Sequence, residues 1–218
     1  YQVKKLSKSL SLVAMTLLLV SLLASPGFSG IKIGVKGGFS LANLTFKPEL
    51  TNSPLSNKTG AVGGISLNVG IASFFSLQPE VLYVQKGTKG SDTVEGVEIT
   101  GKYEVDYIEV PLLLNFSFAK EGSSFVPSVY AGPYAGLNAR AKMKMSSGGE
   151  SYSADFKDYV KDTDFGLTFG IGLGKKIGSG KLVLDVRYDL GLTNIGEDMQ
   201  EGQSVKNKSW LFMLGYYF

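Results

Sequence analysis

Acid–base chemistry in this chain of 218 residues would have to run on carboxylates and amines, because the sequence contains neither histidine nor cysteine. Glu80, Glu104, Asp106 and Glu109 are the carboxylates grouped closely enough to suggest a general acid and base. On an alternating, strand-like pattern they share polar faces with Lys36, Lys86, Arg140 and Arg187. A charge removed from water must be paired, so the expected role of these groups is an interior salt-bridge network. The missing histidine removes the Ser-His-Asp triad, HExxH hydrolysis and most zinc or copper sites. The missing cysteine removes thiolate metal sites, cysteine nucleophiles and disulfides. No metal and no cofactor is expected. The run Gly170-Ile171-Gly172-Leu173-Gly174 has the look of a nucleotide loop, but neither a helical pattern nor a Lys-Ser/Thr pair follows it. It reads as glycines spaced along a strand. Lys142, Met143, Lys144 and Met145 read as a strand running past its sheet, with a short helix or hairpin at Tyr152–Val160.

Positioning these groups falls to eight segments of period-two alternation. Apolar positions recur at Ile31, Ile33, Val35, Phe39 and Leu41; at Ala61, Ile65, Leu67, Val69 and Ile71; and at Phe75, Leu77, Val81 and Tyr83. A fifth segment spans Phe125–Leu137, a sixth Phe165–Leu173, a seventh Leu182–Leu192 and an eighth Trp210–Phe218. The fourth changes parity. Tyr103, Val105 and Tyr107 are apolar at odd positions, whereas Ile108, Val110, Leu112, Leu114 and Phe116 are apolar at even ones. An inserted residue restores the pattern, which predicts a β-bulge near Tyr107-Ile108. Long connections are expected at Asn43–Lys58, Gly87–Gly101, Lys142–Asp162 and Asn194–Asn207, and short ones near Ala72–Phe74, Ala119–Ser124 and Lys176–Gly180. Most segments can supply the ~9–11 residues of a tilted membrane-spanning strand. The fold expected is all-β: an eight-stranded antiparallel up-and-down transmembrane β-barrel with short periplasmic turns and long extracellular loops.

A soluble barrel also alternates, but it buries the apolar face. Three features favour the membrane form. The polar faces are rich in small residues, and the chain holds 28 glycines, nearly twice the usual share of about 7%. Aromatics mark both strand ends: Phe75, Phe118, Phe125, Tyr216 and Phe218 toward the short turns, and Tyr83, Tyr103, Phe165 and Trp210 toward the long loops. Leu214, Tyr216 and Phe218 share one face of the eighth segment.

Residues 1–29 have the form of a signal peptide. Lys4, Lys5 and Lys8 precede the apolar run Leu10–Ala24, and Gly27 and Ser29 are small residues suited to cleavage after Ser29. Residues 30–218 are then the barrel. Those three lysines carry the whole net charge of +3, leaving 19 basic against 19 acidic residues, so nucleic acid is not an expected partner.

Eight strands leave a lumen just wide enough for side chains to fill. Lys32, Lys36, Glu80, Glu109, Arg140, Asp185 and Arg187 are expected to form its charge network, with Arg187 reaching Glu80 and Glu109 across it. A wide solute channel is therefore not expected. The role expected is structural or one of interaction through the loops, with outer-membrane lipid around the barrel and a protein partner at the extracellular side. The alternative is a narrow channel or carrier for ions or small apolar ligands. Enzymatic barrels of protease or acyltransferase type use histidine, which this chain lacks.

The segments Gly34–Leu44 (GVKGGFSLANL), Leu77–Gly87 (LQPEVLYVQKG), Asp106–Phe116 (DYIEVPLLLNF), Tyr130–Leu137 (YAGPYAGL), Arg187–Ile195 (RYDLGLTNI) and the ending GYYF resemble the PorT-like outer-membrane β-barrel family. The resemblance implies a bacterial outer-membrane location and an architecture like that of the small OmpA and OmpX barrels. It also implies that Leu214, Tyr216 and Phe218 serve as the signal read by the barrel assembly machinery.

Overall fold

The alternation folds as antiparallel strands, nine among the described residues, which are 30–48, 55–94, 97–119, 123–148 and 150–218 of a computed structural model. The expected signal peptide at 1–29 lies outside them. The strands are β1 (Ile31–Lys47), β2 (Leu55–Ala72), β3 (Phe75–Val94), β4 (Val97–Ser117), β5 (Phe125–Ser147), β6 (Glu150–Asp155), β7 (Thr163–Ile177), β8 (Gly180–Gly191) and β9 (Ser204–Tyr217). Eight of them close into a ring in the order β1-β2-β3-β4-β5-β7-β8-β9, with β9 returning to β1 from Gly34↔Tyr217 to Lys47↔Ser204. Closure leaves the ring no unpaired strand edge, the condition for crossing lipid with strands. The ninth, β6, pairs only with the far end of β5, from Lys142↔Asp155 to Ser147↔Glu150, and a single 3-10 turn at Lys157–Tyr159 follows it.

Outward residues form an apolar band. Ile33, Ile65, Leu114, Phe169, Ile171, Leu184, Trp210 and Leu214 all stand exposed on it. The core is the lumen, where Val62, Leu82, Val84, Leu211 and Met213 pack together. No helix among the described residues is long and apolar enough to cross a membrane. The band is therefore carried by strands alone.

Three expectations need correction. First, β4 is regular: its register with β3 runs without a shift from Phe75↔Phe116 to Val94↔Val97. The irregularity at this level belongs to β5, where Asp106↔Arg140 is followed by Tyr107↔Asn138, so Ala139 is the extra residue. The parity change in β4 has another cause. Tyr103, Val105, Tyr107 and Glu109 all lie on its inward side, and the inward side becomes apolar toward the loop end. Second, Gly87–Gly101 is not a loop: β3 and β4 continue as a hairpin to Val94 and Val97. Gly87 adopts a φ of +125°, and a Cβ there would collide with the Tyr103 carbonyl. Third, Tyr103 is not part of an outer aromatic belt. It packs edge-on against Phe156, with ring centroids 5.8 Å apart, over the barrel mouth. At the opposite end the Phe75–Phe116 and Tyr216–Phe218 rings meet at 5.0 and 5.1 Å, on the outer surface.

Candidate functional site

Inward-facing side chains are stacked along the lumen in layers. Near the short-turn end, four charges from three strands form a closed circuit. The Lys36 ammonium on β1 lies 2.6 Å from Glu80 Oε1 on β3 and 2.6 Å from Asp185 Oδ2 on β8. The Arg187 guanidinium, also on β8, lies 2.7 Å from Glu80 Oε2 and 2.7 Å from Asp185 Oδ2. Each cation touches both anions, and all four side chains are at most 1% exposed. Because β2, β1 and β9 stand between β3 and β8 in the ring, the Arg187–Glu80 pair spans the lumen instead of running along one wall.

Neighbouring groups saturate the circuit. The Gln78 amide donates to Glu80 at 2.7 Å, Asn115 donates to Gln78 at 3.0 Å, and the Tyr130 hydroxyl donates to Asp185. Tyr130 also lies under the guanidinium, 5.2 Å from ring centroid to Arg187 Cζ. Gly170 makes this placement possible, since a Cβ there would strike the Tyr130 ring. Two buried cations and two buried anions, fully paired and hydrogen-bonded, meet the condition under which buried charge is tolerated.

Leu82 and Val84 follow Glu80 on the inward side of β3, and Lys86 opens a second polar layer. Its ammonium sits 2.6 Å from Glu109 Oε1 and 3.5 Å from Asp189 Oδ2. The Thr168 hydroxyl donates to Asp189 at 2.7 Å, while Tyr134 and Asn207 donate to Asp164 at 3.1 and 3.0 Å. Glu109 thus pairs with Lys86 and not with Arg187.

Of the seven residues expected in one network, the structure brings together Lys36, Glu80, Asp185 and Arg187, and sets Glu109 in the second layer. Lys32 is exposed at the short-turn end and enters no ion pair found among the described residues. Arg140 is outside the lumen. The extra residue Ala139 reverses parity, so Arg140 faces away from the axis and pairs with Glu104 at 2.8 Å and Asp106 at 3.7 Å, at 37% exposure. Leu214, Tyr216 and Phe218 lie on the outer face of β9 and its end, away from every lumen group.

Above the second layer the mouth is an apolar cup of about 580 Å³. Its floor is the cluster of Leu44, Val105, Val160, Ile195 and Val205. The loops that wall it are tied by backbone bonds: Lys161 N–H to the Ile195 carbonyl at 2.8 Å, Ile195 N–H to Val205 at 2.8 Å and Glu197 N–H to Tyr159 at 3.0 Å. The Asn194 side-chain oxygen accepts from the backbone N–H of Gly196 and Val205 at 3.2 and 2.9 Å. Strand parity had already put Lys86 on an inward face. It gave no notice of the cup, whose residues come from strand extensions and loops.

The arrangement closes a lumen with paired charge and opens an apolar hollow at one end. A family model described as outer membrane protein beta-barrel domain matches residues 21–197. Among solved structures, Neisserial surface protein A is similar over 88% of this chain and 97% of that one, at 17% identity and a TM-score of 0.46. OprG from Pseudomonas aeruginosa is similar over 88% and 98%, at 11% identity and a TM-score of 0.45. Outer membrane protein W of E. coli is similar over 86% and 97%, at 15% identity and a TM-score of 0.41. No curated protein sequence matches the chain. The closed ring, the exposed apolar band and a family match over most of the length agree, and the chain belongs to the outer membrane protein beta-barrel domain family.

Proposed function

We propose that this outer-membrane barrel conducts no solute and acts through its loop-side face, in a structural or interaction role. The carrying observation is the Lys36–Glu80–Arg187–Asp185 circuit, which bridges the lumen from β1 and β3 to β8 with side chains at most 1% exposed. An ion passing through would have to displace a fully paired set of charges. Purified barrel in planar lipid bilayers is expected to be electrically silent. Discrete conductance steps from the parent protein would overturn this reading in favour of a narrow channel.

Several finer points belong to the same reading. The protein is exported by residues 1–29, with cleavage after Ser29. It sits with the PorT-like members of its family, on the segments quoted above. Outward Leu214, Tyr216 and Phe218 are what the assembly machinery reads, and a protein partner meets the extracellular loops. The protein is not an enzyme; its lumen carboxylates serve as counter-charges to Lys36, Lys86 and Arg187.

A further inference from the structure

The cup at the loop end is a large hollow that the closed-lumen reading leaves unused. Its volume of about 580 Å³ falls within the about 300–1,000 Å³ typical of small-molecule sites. Such sites are mostly apolar and largely formed in advance. Both conditions hold. Tyr103, Met145, Phe156, Val160, Ile195 and Met199 line it from four different stretches of chain. The Lys161–Ile195, Glu197–Tyr159 and Ile195–Val205 bonds fix the two loop stretches to each other and to β9, the Phe156–Ala141 bond ties them to β5, and Tyr103 pairs across from Met143.

An apolar interior alone would serve packing. Here the strand extensions hold apolar residues apart around a space in place of collapsing onto it, and Phe156, Tyr159 and Val160, which follow β6, add a wall that the ring itself does not supply. The charged residues at the hollow are Asp92 and Glu197, both acidic, with no lysine or arginine among the lining residues. An anionic ligand would meet the Glu197 carboxylate and find no cationic side chain among the described lining residues. Beneath the floor lies the second charged layer, so the ligand enters and leaves on the loop side.

We propose that the cup binds a small uncharged apolar or amphiphilic molecule, apolar end inward, and discriminates against anionic amphiphiles through Glu197. This deepens the loop-side reading above. Its test does not use conductance, so the two can fail separately.

The test uses methyl-labelled methionine in the full barrel, held in lipid nanodiscs. The chain has five methionines. Met145 and Met199 line the cup, while Met213 lies in the lumen core below it and serves as an internal control. N-phenylnaphthylamine is the uncharged probe, and anilinonaphthalene sulfonate is its anionic counterpart. Titration with the uncharged probe is expected to shift the Met145 and Met199 methyl signals together, with saturation, and to leave Met213 in place. Val160→Phe fills the floor and should weaken binding by about tenfold or more, the scale on which a methylene or two counts in an apolar pocket. Ile195→Phe provides the same test if the first variant loses its heat-dependent gel shift. The sulfonate should bind about tenfold more weakly than the amine, and Glu197→Gln should narrow that gap. Shifts that fail to saturate, or that survive both filling variants, would overturn the site. Equal affinity for the two probes would overturn its preference for uncharged ligands.

Discussion

Arg187 holds two carboxylates that Lys36 also holds, so removing it does not strand a single partner; it unbalances a four-charge circuit by one. What remains is one ammonium between Glu80 and Asp185, both sealed from solvent. Breaking a buried pair from one side typically costs about 3–5 kcal/mol. Arg187→Ala is therefore expected to lower the unfolding temperature of the detergent-solubilised barrel, read from the loss of the fast-migrating band on unboiled gels. Glu80→Gln added to it should recover part of the loss, because the surplus charge is gone and Gln78 and Lys36 can still reach the amide. An unchanged unfolding temperature in Arg187→Ala would mean that water screens the circuit and the lumen is open. The four members were legible from parity because β1, β3 and β8 keep their alternation through this layer. Arg140 was misread for a local reason: Ala139 shifts the register, and a single inserted small residue leaves no mark on the hydrophobic pattern.

At the scale of strands, the ring follows one rule inside the membrane and the opposite rule above it. Within the apolar band, residues turned outward are Ile, Leu, Val and aromatics, and those turned inward are two charged layers with the Val62, Leu82, Val84, Leu211 and Met213 cluster between them. Beyond it, Leu44 on β1, Val105 on β4, Ala141 on β5 and Val205 on β9 turn inward as the cup floor. Between and beside them, Lys47, Lys102, Lys142, Lys144, Lys206 and Lys208 take the outward parity. This inversion explains why the membrane-spanning strands could be read from sequence while their extensions could not. A pattern search assumes one environment per face, and Tyr103–Tyr107 changes environment without changing face. It also produces an electrostatic fault. Lys89, Lys102 and Lys144 stand directly opposite one another on β3, β4 and β5, and like charges at opposed positions destabilise a ladder. Glu104 lies 2.9 Å from the Lys144 ammonium and partly relieves that position. Lys102→Glu should convert two repulsions into attractions of about 0.2–1 kcal/mol each. The unfolding temperature in a non-ionic detergent should rise, and the gain should shrink with added salt. A fall in stability would mean that the three lysines do not feel each other.

The molecule as a whole is defined by what surrounds each part of its surface, and equal exposure in the structure therefore does not mean equal tolerance. Leu184 on β8 and Tyr152 on β6 are 56% and 66% exposed, so on a protein surrounded by water a charged side chain would suit either place. Leu184 belongs to the ring, cross-strand from Leu173 and Leu214, in the midst of the apolar band. Tyr152 belongs to the hairpin that stands on the loop side, attached to the ring only through β5. An arginine on the lipid face of a barrel costs about 2–4 kcal/mol near the bilayer midplane and about 0–1 near its edges. Leu184→Arg is therefore expected to lower stability in lipid vesicles by an amount between those two limits, and to deplete the folded band in the outer-membrane fraction. Tyr152→Arg should leave both measurements close to the parent. The comparison holds residue size and charge constant and changes only the medium. Equal effects from the two substitutions would deny that the apolar band meets lipid. A loss confined to Leu184→Arg would place the membrane boundary between these two positions, below the cup and its acidic residues.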